Sequence, residues 1–253
     1  MELSVISKIF ADYELTGVSK SIAPDDVMYN TGAEWYWSVG ESGLKCVLYA
    51  LSMAWTIKVK RVLDLPCGHG RVGRYLRAAF PEAEMFGCDL STAGVDFCAS
   101  TLNMKPIYSK LNLTEVELPD NLDVIWVGSL FTHLDEERTT AWLSYLAKHL
   151  APHGVLVATF HGQFTRVLQK TLRMIHPVGW EQVEKGYAER GYGYAQYTEY
   201  DLGDFGLSVS KPAKIVDTAA AIPDMRILYY SERMWANNHD VLALTRNERL
   251  KAF

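Results

Sequence analysis

Two carboxylates, a pair of glycines and two histidines stand where this sequence could do chemistry. Asp64 closes an apolar run, residues 62–65, and is followed at once by Pro66-Cys67-Gly68-His69-Gly70-Arg71. Beyond the glycines, Val72, Tyr75, Leu76 and Ala79 recur with the spacing of one helix face. Strand, glycine turn and helix together point backbone N–H groups and a positive helix end at a ligand. Glycine lets that ligand approach closer than a Cβ would allow. Asp89 ends the next apolar run, 21 residues beyond Gly68, where a carboxylate can accept both hydroxyls of a ribose. The expected ligand is a nucleoside-type cofactor.

Two cofactor classes use this device. Gly68-His69-Gly70-Arg71-Val72-Gly73 satisfies G-x-G-x-x-G, and with Asp89 it meets the spacing of a dinucleotide fingerprint. Asp64 argues against that class, because a pyrophosphate beside it would bring like charges together at a partly buried site. S-adenosylmethionine, with an ammonium and a sulfonium at its buried end, would accept the carboxylate.

The run from Val62 to Arg71 resembles the first motif of class I S-adenosylmethionine-dependent methyltransferases, D-x-G-x-G-x-G, with Asp64, Gly68 and Gly70 on the acid and the last two glycines. Pro66 stands where the first glycine is usual. Phe86-Gly87-Cys88-Asp89-Leu90-Ser91 looks like the ribose-binding motif of that superfamily, residues 122–134 like its fourth-strand motif, and residues 150–157 like the turn into its fifth strand. Within the superfamily, residues 66–71, Gly128-Ser129-Leu130-Phe131-Thr132-His133 and a late Trp-(x)3-His-Asp-Val are similar to members found beside glycosyltransferases. The resemblance covers roughly residues 60–160. It implies S-adenosylmethionine as cofactor, bound through Asp64, Pro66, Cys67, Gly68 and Gly70 at the first loop and through Asp89 and Leu90 at the ribose. It further implies Asn112 and Leu113 at the adenine, and Gly128, Ser129 and Leu130 along the methionine arm. Tyr36, in an aromatic segment ahead of the core, is expected to bring a phenol to the cofactor carboxylate from a closing lid.

An alcohol acceptor needs its proton removed by a group titrating near neutrality. His133, after the fourth strand, and His161, ending the fifth, are the candidates for catalysis. His69 reads as a brace inside the glycine loop, His239 receives no role, and Tyr197 is a further possibility. The function expected is methyl transfer to oxygen of a small-molecule or sugar acceptor. The alternatives are intramolecular alkylation within the cofactor, releasing methylthioadenosine, and nicotinamide-dependent oxidoreduction.

Hydrophobic residues at 49% and charged residues at 22% give a globular chain, and 253 residues can bury a sizeable core. A net charge of −5 argues against a nucleic-acid partner. Cys46, Cys67, Cys88 and Cys98 form no C-x-x-C pair, so no metal site is expected and the thiols read as small reduced hydrophobes. The first residues lack a leader pattern, and the apolar run 44–57 is too short for a membrane span and carries Lys45. A cytoplasmic enzyme is expected.

The elements that must position these groups follow from periodicity. Strand-like runs fall at 62–65, 85–89, 107–108, 124–128 and 155–160, separated by helical stretches at 71–80, 92–102 and 136–150. The fold expected is α/β, a Rossmann-like, seven-stranded, mostly parallel sheet with a terminal antiparallel strand pair (226–230 and 241–245) and helices on both faces. Residues 1–60 read as an N-terminal lid and helical extension, its helix capped by Ser38 and Glu41, with the aromatic segment 29–37 as a loop. Residues 61–253 read as the cofactor-binding domain, with a helical insertion near 162–200 and a tyrosine-rich loop at 191–201. In such a sheet the ligand sits at the carboxyl ends of the strands.

Overall fold

The computed structural model describes residues 17–56, 58–198 and 203–247. The ends of the chain, Ile57 and residues 199–202 of the tyrosine-rich segment lie outside the described residues. Seven strands form one sheet in the order β3-β2-β1-β4-β5-β9-β8. Its parallel part comprises β1 (Arg61–Leu65), β2 (Glu84–Asp89), β3 (Lys105–Tyr108), β4 (Leu122–Val127) and β5 (Leu150–Phe160). β9 (His239–Arg246) runs antiparallel to β5, and β8 (Met225–Trp235) antiparallel to β9. The expected architecture is the one observed.

Alternation along the central strands feeds two apolar layers, which is why those strands read as continuous apolar runs. Val62, Val124, Trp126 and Val157 face α1 (Ala33–Met53), α2 (Gly73–Ala79) and α3 (Thr92–Leu102). Leu63, Leu65, Ile125, Val127 and Leu156 face α4 (Glu136–Lys148) and α7 (Pro212–Ala220). Leu44, Val47, Leu48 and Leu51 of α1 belong to the first of these layers. All four cysteines are buried and unpaired. Among the described residues, no helix is long and apolar enough to cross a membrane.

Three local expectations are corrected. The aromatic segment is not a loop: α1 starts at Ala33, after Gly32 at φ 120°. Ser38 therefore lies inside the helix, where its hydroxyl donates to the Trp35 carbonyl instead of capping an end. The insertion holds two helices, α5 (Gln163–Leu172) and α6 (Pro177–Arg190). The start of the tyrosine-rich segment is a strand, β6 (Tyr192–Gln196), paired antiparallel with β7 (Gly206–Ser210). Tyr192 anchors it by donating to the Leu134 carbonyl at 2.9 Å. Gly193 allows close packing there, since a Cβ would lie 1.9 Å from the Val183 carbonyl of α6. This hairpin, α6 and the turn before it share a small core of Ile175, Val183, Tyr187, Ala195, Leu207 and Val209.

Candidate functional site

The carboxyl ends of β1, β2 and β4 meet where the strand order turns from β1 to β4, the position at which a parallel sheet leaves a crevice. Asp64 at the end of β1 is 1% exposed, and its Oδ2 is buried with no hydrogen-bond partner. Burial, reinforced by the charge of Asp89, pushes its carboxyl up to about 8, against the pull of the Gly73 N–H and the Arg71 guanidinium. The loop that follows turns back through Gly68 at φ 47° and Gly70 at φ 75°. Asp89 fixes this loop: one carboxylate oxygen accepts from the Gly68 N–H at 2.7 Å, the other from the Ser91 N–H at 2.9 Å. Each oxygen keeps a further lone pair. After β4, Ser129 takes φ 61°, rare for a residue with a Cβ. Its N–H donates to Thr159 at 2.8 Å and its carbonyl accepts from Thr132 at 3.0 Å.

Two cavities open on these loops. The smaller, about 190 Å³, is walled by Leu65, Leu90, Leu113, Leu130, Trp142 and Phe205, and is mostly apolar. The larger, about 540 Å³, takes in Asp64, Cys67, Gly68, Arg71, Gly128 and Trp235. Pro66, Asp89, Ser129 and His133 border both, so the two form one cleft with Asp89 at its waist. Arg71 stands in the larger half, its guanidinium 5.9 Å from the Trp235 ring and 6.0 Å from that of Tyr36.

The residues before α1 are tied onto the glycine loop by Arg74, which is fully buried. Its guanidinium donates to the carbonyls of Gly70, His69, Ser19 and Ser21 and to the Tyr36 hydroxyl, at 2.8–3.1 Å. His69 Nε2 lies 3.3 Å from an Asp25 carboxylate oxygen without making a hydrogen bond to it. Asp26 and Met28 thereby close one end of the larger cavity.

Three histidines run inward from the wall of the cleft. The ring of His133 is 6.4 Å from that of His161, which is 4.8 Å from that of His239. His133 Nδ1 lies 3.0 Å from the Gly206 carbonyl and 3.2 Å from the Tyr197 hydroxyl. His161 Nδ1 lies 3.2 Å from the Ser208 carbonyl. A carbonyl only accepts, so both Nδ1 atoms carry the hydrogen and both Nε2 atoms carry a lone pair. Burial holds His133 below the ordinary histidine range and His161 well below it, and brings His239 down to about 3.

The structure brings Asp64, Pro66, Cys67, Gly68, Asp89, Leu90, Leu113, Gly128, Ser129, Leu130 and His133 to the walls of one cleft. Gly70 sits one turn inside the loop, where a Cβ would lie 2.3 Å from Leu102. Three expected residues stand elsewhere. Tyr36 is fully buried behind the cleft, donating to Asp26 at 2.7 Å, and the guanidinium that stands in the cleft nearby is that of Arg71, 6.0 Å from the Tyr36 ring. Asn112 caps the short turn Leu113–Glu115, its amide oxygen accepting from Thr114, while Ser109 and Lys110 border the apolar cavity on that side. His161 borders neither cavity and lies one ring behind His133. Arg71 and Trp235 were not singled out from sequence. Arg71 ends the glycine motif itself, and Trp235 opens the Trp-(x)3-His-Asp-Val stretch, so both carried a signal.

Residues 63–156 match the family model described as "Methyltransferase domain". A fatty-acid O-methyltransferase of Mycolicibacterium smegmatis is 30% identical over 105 residues, 41% of this chain and 38% of that relative. The chain thus covers well under half of that protein's length. Among solved structures, an S-adenosylmethionine-dependent methyltransferase from Clostridium acetobutylicum superposes with a TM-score of 0.53 at 14% identity, covering 88% of this chain and 95% of that one. The plantazolicin methyltransferase BamL, in complex with a triazolic desmethylPZN analog and SAH, gives a TM-score of 0.56 at 13% identity over 87% and 88% of the two chains. Residues 63–156 are therefore similar to a methyltransferase domain, and the chain has the Rossmann-like fold of these methyltransferase structures.

Proposed function

We propose that this chain transfers the methyl group of S-adenosylmethionine to a hydroxyl oxygen of a small-molecule or sugar acceptor. The observation that carries the reading is the buried carboxyl group of Asp64, a residue of the cleft wall whose Oδ2 has no hydrogen-bond partner. A buried acceptor left unmade costs about 1–3 kcal/mol, and an ammonium supplies both the hydrogen bond and the opposite charge. A pyrophosphate would supply neither. The donor fits the rest of the cleft as well. Leu90, Leu113 and Leu130 offer an apolar slot for adenine, Asp89 has lone pairs for ribose hydroxyls, and Gly68 leaves open space beyond its Cα. Arg71 is the cation for the carboxylate. The cofactor supplies an activated methyl group on a sulfonium.

The protein's own work is alignment, exclusion of water and acceptance of a proton. His133 borders both halves of the cleft, is held neutral by burial, and has its Nδ1 hydrogen fixed on Gly206, which leaves Nε2 as base. His161 and Tyr197 hold that ring in place. Residues 17–32, clamped by Arg74, act as the cover over the methionine end. The likeness to a fatty-acid O-methyltransferase supports an oxygen acceptor.

Calorimetric titration with S-adenosylhomocysteine, followed by product analysis with labelled S-adenosylmethionine, tests this. Saturable binding is expected, with methyl label moving to an acceptor and not to methylthioadenosine. His133→Ala is expected to lower kcat by about 10²–10⁴-fold with unchanged affinity for S-adenosylhomocysteine. Absence of binding, or release of methylthioadenosine from the cofactor alone, overturns the proposal.

A further inference from the structure

A third cavity, of about 570 Å³, opens between α5, α6 and the turn end of the β8–β9 hairpin, a size within the roughly 300–1,000 Å³ of small-molecule sites. It lies on the same edge of the sheet as the cleft. β5 ends at Phe160 just before α5, and the antiparallel pairing of β9 with β5 and of β8 with β9 brings the end of β8 and the start of β9 to that edge. The end of β8 serves both openings, Trp235 bordering the cleft while Glu232 and Arg233 border this cavity.

Its polar walls are fixed in place. Arg166 is gripped by Glu184 through two parallel bonds of 2.7 and 2.8 Å. The Arg233 guanidinium lies 3.8 Å from the centre of the Phe164 ring. Gln163 donates to Glu232 at 2.8 Å. Asp240, 1% exposed, accepts from the Tyr230 hydroxyl at 2.7 Å and from the Arg233 N–H at 3.0 Å. Lys170 adds a further cation, and the half-buried indole of Trp180 a flat apolar surface.

This inventory selects a ligand class. Three cationic side chains stand against three carboxylates, so neither an anion nor a cation finds a net attraction. An acyl chain would take water from these ionic groups and return no hydrogen bond. A hydroxyl donates to a carboxylate and accepts from a guanidinium at once, and several hydroxyls on one rigid ring leave a C–H face for the indole. We propose that this cavity binds a neutral sugar ring or short glycoside, stacked on Trp180 with its hydroxyls on the Arg166–Glu184 pair, Glu232 and Arg233. On the methyl-transfer reading above, it holds the glycosyl part of an acceptor whose reacting oxygen reaches the cleft beside Trp235.

The test is binding of the full chain to an array of immobilised glycans, with a separate calorimetric titration of S-adenosylhomocysteine. Retention on a related set of glycans is expected, at least tenfold weaker for Trp180→Ala and Glu232→Gln, with cofactor affinity unchanged in both. Trp180 packs against the insertion core. Glu232 is exposed, so Glu232→Gln keeps the test decisive if the first variant does not fold. An array that retains nothing, or that retains both variants as well as the parent, overturns the sugar site even where S-adenosylhomocysteine binds. Glycan retention without cofactor binding would support the site and remove the methyl-transfer reading.

Discussion

If an ammonium seats against Asp64, cofactor binding must expel a proton. Burial and the neighbouring Asp89 push the Asp64 carboxyl up to about 8, so at pH 6.5 about 0.97 of unliganded molecules hold a proton there. An opposite charge at hydrogen-bond distance favours the ionised form. The amine of the incoming cofactor, with an ordinary value of about 7.7–8.0, is already protonated at that pH and contributes little. Close to one proton is therefore released per bound cofactor. Calorimetry of S-adenosylhomocysteine at pH 6.5, in buffers of different ionisation enthalpy, reads this directly. The observed enthalpy plotted against buffer enthalpy is expected to show a slope of magnitude near one for the parent and near zero for Asp64→Asn. The same shift predicts a stability effect of definite sign. A carboxyl whose folded value lies above its unfolded one contributes stability that is fully present below about pH 4 and lost as pH rises toward 8, about 6 kcal/mol in all. Asp64→Asn, neutral and of the same shape, should escape that loss, so that the unliganded variant melts above the parent at pH 8 while binding cofactor more weakly. A parent slope of zero, or a lower melting temperature for the variant at pH 8, would refute the reasoning.

Arg74→Met leaves four carbonyls and the Tyr36 hydroxyl without their buried donor. A loss of at least about 3 kcal/mol is expected, seen as a fall in Tm of roughly 6–12 °C, and a variant melting with the parent would show that the guanidinium does not hold the N-terminal segment. His239, held near 3 by burial, lies below its unfolded value. Its stability contribution is therefore present above about pH 6.5 and is lost as pH falls from there toward 3. His239→Leu should remove about 1.4 kcal/mol of the stability lost between pH 7.5 and 5.5, measured from urea midpoints. An unchanged pH dependence would mean that the ring protonates in the folded state.

The wall of the cleft built by β1 and β2 was legible because it is local. Asp64, Gly68, Gly70 and Asp89 belong to consecutive strand–turn units, and a parallel sheet delivers such strand ends to one edge whatever the flanks do. The acceptor end depends on pairings between remote segments. His239 received no role, yet the antiparallel register Phe160–Asp240 puts the first residue of β9 beside the last residues of β5. Trp235 closes the cleft only because its indole N–H donates to the Val39 carbonyl of α1 at 3.0 Å. Tyr36 misled in a different way. Four aromatics in nine residues suggested a loop, but Tyr29, Tyr36 and Trp37 pack edge to face at 5.3–6.5 Å, and that packing against a helix start sends the phenol inward. Asn112 showed a side chain able to accept from adenine, and a local turn used the same oxygen first.

His133 and His161, the candidate bases of the sequence reading, show why a residue can be placed by sequence while its tautomer cannot. His133 and His161 owe their tautomers to the carbonyls of Gly206 and Ser208, two residues apart on β7 and hence on the same side of that strand. Ser210 continues the contact, its N–H donating to the His161 carbonyl at 2.9 Å. The β6–β7 hairpin thus offers its open edge to the end of the main sheet and fixes two imidazoles through backbone carbonyls, the Tyr197 hydroxyl adding a contact to the first. Backbone carbonyls leave no residue signature, and a tyrosine-rich stretch accordingly read as a surface loop. What the hairpin must preserve is register. Inserting one residue between Gly206 and Ser208 would put their carbonyls on opposite sides of the strand, turning one of them away from its Nδ1 and freeing that ring to take the other tautomer.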